Sequence, residues 1–86
     1  MKKKFIYAFF DVEMNMWTDP QVLRNDVEAK KLYTHLMKND YFNGCPVEMY
    51  CIGEYRLESK DTPIGLLPFR KIYLNDTVDD GDVENE

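Results

Sequence analysis

The sequence predicts a small α+β domain in which one helix packs on a three-stranded, mostly antiparallel sheet, followed by a disordered acidic tail. Three observations predict it. Aromatic and branched residues gather in short runs bounded by turn-forming residues. One segment carries apolar residues at helical spacing behind a capping residue. The acidic residues crowd into the last part of the chain. At 86 residues, with 44% hydrophobic and 14% aromatic composition, the chain has material for one core and for no second domain.

The first strand is expected over Lys3–Val12, where KKFIYAFFDV is apolar on both faces and so suits a central strand. The run Met14-Asn15-Met16-Trp17-Thr18-Asp19-Pro20 breaks that pattern, with Asp19 placed to cap a short helical turn that has Pro20 in its first position. The helix is expected at about Asp26–Asn39. Asn25 is its N-cap, Glu28 completes a variant of the capping box, and Ala29, Leu32, Tyr33, Leu36 and Met37 form one apolar stripe. Asn39-Asp40, Asn43-Gly44 and Pro46 end it.

A second strand is expected over Val47–Leu57. Val47, Met49, Cys51, Tyr55 and Leu57 face one way, Glu48, Tyr50, Ile52, Glu54 and Arg56 the other, and Gly53 marks a bulge or a close backbone approach. After the polar loop Glu58–Pro63, a third strand is expected over Ile64–Leu74. Residues 1–74 then form the domain and residues 75–86 the tail. So small a chain covers only one face of the sheet, so the aromatic surplus on the other predicts a homodimer or a ligand there.

Charge divides the same way. All 11 Lys and Arg precede Asn75, alongside ten of the 16 acids, so the domain carries 11 − 10 = +1 while the whole chain carries −5. Such a tail reads first as a solvated, disordered segment; the sharper reading is that it competes with nucleic acid for the domain's own basic patch. Met1-Lys2-Lys3-Lys4 precedes an apolar run too short for a signal h-region, and no stretch is long enough for a membrane span. Two cysteines, Cys45 and Cys51, make no disulfide framework. Cys51 reads as a small core residue and Cys45 as part of a turn. A cytoplasmic protein is expected.

The residues argue against catalysis. His35, the only histidine, lies on the helix with no nucleophile placed beside it, and reads as a surface residue. Cys45, Cys51 and His35 lack zinc-ligand spacing. The four isolated glycines match no phosphate-binding loop. No enzyme activity, cofactor or metal is expected.

Nucleic-acid binding finds more material. Single strands are held by cations along the backbone and by rings that stack on bases. Lys2, Lys3, Lys4, Tyr7, Tyr50, Arg70 and Lys71 are the candidate contacts, with Phe5, Phe9, Arg56 and Tyr73 nearby. The competing reading is a protein-interaction module, favoured by the low charge of the domain.

The segment Cys45-Pro46-Val47-Glu48-Met49-Tyr50-Cys51-Ile52-Gly53-Glu54-Tyr55-Arg56 resembles a pattern, hPxdyxLyxIGEyd, of the small nonstructural protein of gokushovirus-type microviruses, which are single-stranded DNA phages. The resemblance covers roughly residues 3–74, including the aromatic first strand and the Ala29-to-Tyr33 spacing of the helix. Three departures are Ala29-Lys30-Lys31 in place of an Ala-x-Arg pair, the turn Glu58–Pro63, and the acidic tail. The resemblance implies DNA binding in the host bacterial cytoplasm. It also implies a role in passing from duplex replicative-form synthesis to single-strand genome synthesis and packaging. It assigns no individual binding residue. The partners expected are single-stranded DNA, a second copy of the chain, or a phage or host replication protein, the last as inhibitor docking without direct DNA contact.

Overall fold

The structure, a computed structural model, describes residues 2–74; the expected acidic tail, residues 75–86, lies outside them. The chain runs β1 (Lys3–Asp11), β2 (Met16–Leu23), α1 (Asp26–Lys38), β3 (Val47–Arg56) and β4 (Ile64–Ile72). Every neighbouring pair is antiparallel, in the order β2-β1-β3-β4. The fold is mostly β, four strands in one sheet with one helix. This corrects the three-stranded α+β expectation.

The additional strand is β2, in the segment read as a helical turn. Asp11 Oδ1 accepts a hydrogen bond from the Met14 N–H at 2.9 Å, and Asn15 takes a left-handed conformation at φ 57. Together they close a short turn that returns the chain along β1. Asp19 and Pro20 then stand opposite Ala8 alone, between the pairs Tyr7↔Gln21 and Phe9↔Thr18. This is a bulge, with Asp19 at φ 52. A bulge on an edge strand is where a proline can sit without removing a ladder hydrogen bond. The Asp-Pro pair that suggested a helix start is instead an edge-strand irregularity.

The expected cap of α1 is present. Asn25 Oδ1 accepts from the Glu28 N–H at 3.0 Å. The Glu28 carboxylate accepts from the Arg24 N–H at 2.9 Å, so the reciprocal half of the box closes one residue upstream of the cap. Beyond Asn39, Asp40, Asn43 and Gly44 all have positive φ, which turns the chain out of the helix and back to β3.

Gly53 fulfils both parts of its expectation. The β3–β4 register shifts between Cys51 and Gly53, and a Cβ on Gly53 would lie 2.6 Å from the Gly65 carbonyl oxygen. The β1–β3 register slips as well, leaving Ile52 over between the pairs Ile6↔Gly53 and Tyr7↔Cys51, and this one-residue slip inverts the later half of β3. Glu54 pairs with Phe5, and Tyr55 with Lys4 and Ile64, so Tyr55 shares a face with Ile6. The expected grouping of Tyr55 with Met49 and Cys51 is thereby corrected.

Helix α1 covers one face of the sheet. Tyr7, Phe9, Met49, Cys51 and Ile72 meet Ala29 and Tyr33 there. Phe9 sits edge-on to Tyr33 at 5.6 Å between centroids and tilted against Phe42 at 5.0 Å. Polar groups on this face are paired. The Tyr33 hydroxyl donates to the Val47 carbonyl at 2.8 Å and the Tyr7 hydroxyl to Asp26 Oδ1 at 2.6 Å. The Arg70 guanidinium donates to Asp26 Oδ2, so the first residue of α1 ties β1 to β4. No helix among the described residues is long and apolar enough to cross a membrane.

Candidate functional site

The face turned away from α1 carries a second, uncovered aromatic group. Alternation along β1 puts Phe10 on this side, and pairing brings Trp17 opposite it and Tyr50 opposite Ala8. Trp17 makes edge-to-face contacts with Phe10 at 5.0 Å, Tyr50 at 5.6 Å and Phe69 at 5.4 Å. One ring from each strand therefore joins a single cluster. β2 and β4 are opposite edges of the sheet, about 14 Å apart at roughly 4.8 Å per strand. The Trp17 and Phe69 rings close that span by leaning inward over the central strands. Ala8, which faces away from the helix beside Tyr50, is only 3% exposed. Trp17 remains 42% and Phe69 57% exposed, so both rings keep surface for a ligand to stack on.

Beside the cluster lies a small polar network. Glu48 accepts from the Tyr50 hydroxyl at 2.8 Å and from Lys71 Nζ at 3.2 Å. Those two hydrogen bonds, Tyr50's first, hold the Glu48 carboxyl below its ordinary range. The Glu48 hydrogen bond in turn raises both the Tyr50 phenol and the Lys71 ammonium. Lys71 also lies 5.4 Å from the centroid of the Tyr73 ring. Along the outer wall of Trp17 runs a cleft of about 430 Å³, shared with Asp11, Thr18, Asp19, Tyr41 and Phe42.

The seven expected contacts fall in different places. Tyr50 and Lys71 are on the open face at the cluster, and Lys4 is on the same face beside Tyr55. Lys2 is exposed, and its backbone N–H reaches Glu58 Oε1 at 3.5 Å. Lys3 lies on the opposite face, 3.1 Å from Glu54 and 5.6 Å from the Phe5 ring. Tyr7 is fully buried under α1, where burial first and then the Asp26 hydrogen bond raise its phenol pKa. It has no surface to offer a base. Arg70 also points to the helix side, bound to Asp26. Tyr7 is thus a core residue, while Arg70, its side chain half exposed, is held on the helix side by Asp26.

Trp17, Phe10 and Phe69 were missed. Their signal was present in part, because the lone tryptophan follows a turn-forming Asn15 at hairpin distance from β1.

Among the described residues no group of three His, Cys, Asp or Glu is placed to hold a metal. Cys45 and Cys51 are free thiols, and burial pushes the Cys51 thiol up. The chain matches no protein-family model, no curated protein and no solved structure.

Proposed function

We propose that this is a non-enzymatic binding protein that holds single-stranded DNA against its open sheet face. The observation that carries the reading is the cluster of Phe10, Trp17, Tyr50 and Phe69 spanning all four strands. Stacking on exposed rings is sequence-tolerant because every base has a π-face. Lys4 and Lys71 on the same face are the cations available to backbone phosphates. The +1 charge of residues 1–74 and the resemblance to the microvirus nonstructural protein support the same reading. That resemblance would set the activity in the bacterial cytoplasm, at the passage from duplex synthesis to single-strand synthesis and packaging.

Few cations make the binding weak. Two phosphate contacts predict that log K falls with log salt at about −1.4, taking roughly −0.7 per contact on a single strand. Fluorescence anisotropy of a labelled oligonucleotide at low salt tests the proposal. Trp17→Ala and Phe69→Ala should each weaken binding by about 1–3 kcal/mol. Glu48→Gln should tighten it, because it removes the carboxylate that competes with phosphate for Lys71, and should leave the salt slope at about −1.4. Deleting residues 75–86 removes six acids and should also tighten binding, by a margin that shrinks as salt screens it. No binding by any form at tens of micromolar would remove DNA as the ligand.

A second reading has its own observation. Arg56, Lys3 and Arg70 are already engaged by Glu54, Glu54 and Asp26, which favours a protein partner such as a replication protein. A partner that survives nuclease treatment in a pull-down supports it.

A further inference from the structure

The open face has a second half that the aromatic cluster does not use, and we infer that it is the contact for another copy of this chain. Two rows of paired residues define it: Val22, Ile6, Gly53 and Leu66, then Lys4, Tyr55 and Ile64. Leu66 is 82% exposed, Ile64 60%, Val22 46% and Tyr55 38%. Leu66, Ile64 and Val22 are aliphatic and do not stack on bases, and such a run at the surface of so small a domain marks an interface.

Three features point to a second copy as the occupant. First, Lys4 is the single charge among those seven residues. The patch therefore offers no complementary charge to an acidic or basic partner, and two copies would bring apolar surface onto apolar surface with little repulsion. Second, the size fits. Four large side chains, between 38% and 82% exposed, present on the order of 400 Å² per protomer. A symmetric pair would then bury about 800 Å² in total, at the small end of the range, where association is weak and transient. A weak dimer, dissociating in the micromolar range, is expected. Third, the sheet edges are poorly suited to the alternative. Pro20 interrupts β2 and Pro68 interrupts β4, so neither edge offers an unbroken ladder of donors for strand addition. Contact is therefore face to face, with the Trp17 half of each copy projecting beyond the overlap. This inference shares only Lys4 with the DNA reading and is measured without nucleic acid, so either can fail alone.

Sedimentation velocity across about 1 to about 300 µM, bracketing the expected micromolar affinity, tests it. The wild-type chain should shift from monomer to dimer across that range. Leu66→Glu and Ile64→Lys should each remain monomeric at the highest concentration with unchanged far-ultraviolet circular dichroism, because both positions are exposed. Lys31→Glu, on the helix, should dimerise like wild type. A wild-type chain that stays monomeric throughout, or dimerisation undiminished in both patch variants, would overturn the inference.

Discussion

Phe9 and Phe10 are neighbours in sequence and lie on opposite faces of one central strand, and their fates differ completely. Phe9 is fully buried against Tyr33 and Phe42. Phe10 faces the uncovered side, where its partner Trp17 stays partly exposed. The helix-side face closes its polar groups within the protein through Asp26 and the Val47 carbonyl. The open face gathers its polar groups around Glu48, within reach of solvent. Residue type does not separate the covered face from the open one here. What separates them is which side α1 covers, and one helix can cover only one.

The largest test of that contrast compares two phenylalanines by urea denaturation. Phe9→Ala should cost about 3–5 kcal/mol, as loss of a large buried side chain does. That is enough to unfold much of a domain this small. Phe69→Ala should cost below about 1 kcal/mol, the loss of an edge-to-face contact at the surface, while weakening DNA. Equal stability losses would break the comparison.

Next comes the Asp26 junction. Asp26→Ala strands the buried Tyr7 hydroxyl and releases Arg70, and should cost about 1–3 kcal/mol. Tyr7→Phe removes only the donor and should cost about 1 kcal/mol. Thermal or chemical melts of both variants measure the difference.

A smaller effect appears in alkali. Tyr7 in the folded chain holds its proton well above the ordinary tyrosine value of 10.0. The folded state thus binds that proton more tightly than the unfolded one. Its contribution is complete below about pH 10 and is lost progressively as pH rises beyond it. Midpoints should fall above pH 10 in wild type and more gently in Tyr7→Phe. The smallest effect is on the acid side. Glu48 and Glu54 are held below the ordinary 4.5, so their contribution is present above that value and fades as pH falls through the depressed range.

Much of the helix-side face was legible in the sequence. The central position of β1, the Asn25 cap, the stripe through Ala29 and Tyr33, and the irregularity at Gly53 all follow from local rules that the fold obeys. Strand β2 was hidden because Asp19-Pro20 carries a helix-start signal, and only pairing with β1 turns it into an edge bulge. The facing of Tyr55 was hidden because the bulge at Ile52 inverts the alternation after it. The site was legible only where phase was unambiguous. Tyr50 and Lys71 follow from the alternation before the bulge. Tyr7 did not, because β1 is apolar on both sides and its sequence does not say which side the helix takes. Trp17 and Phe69 come from opposite edges of the sheet, and no local pattern indicates that their rings meet.

The central claim is that the uncovered aromatic face is the binding surface, and the protein carries its own reporter there. Trp17 is the single tryptophan, so its emission reads the centre of the cluster without labelling. Titration with a short single-stranded oligonucleotide at low salt should quench Trp17 saturably, with the quenching abolished at high salt. Binding seen by anisotropy with Trp17 emission unchanged would place the ligand elsewhere and contradict the account.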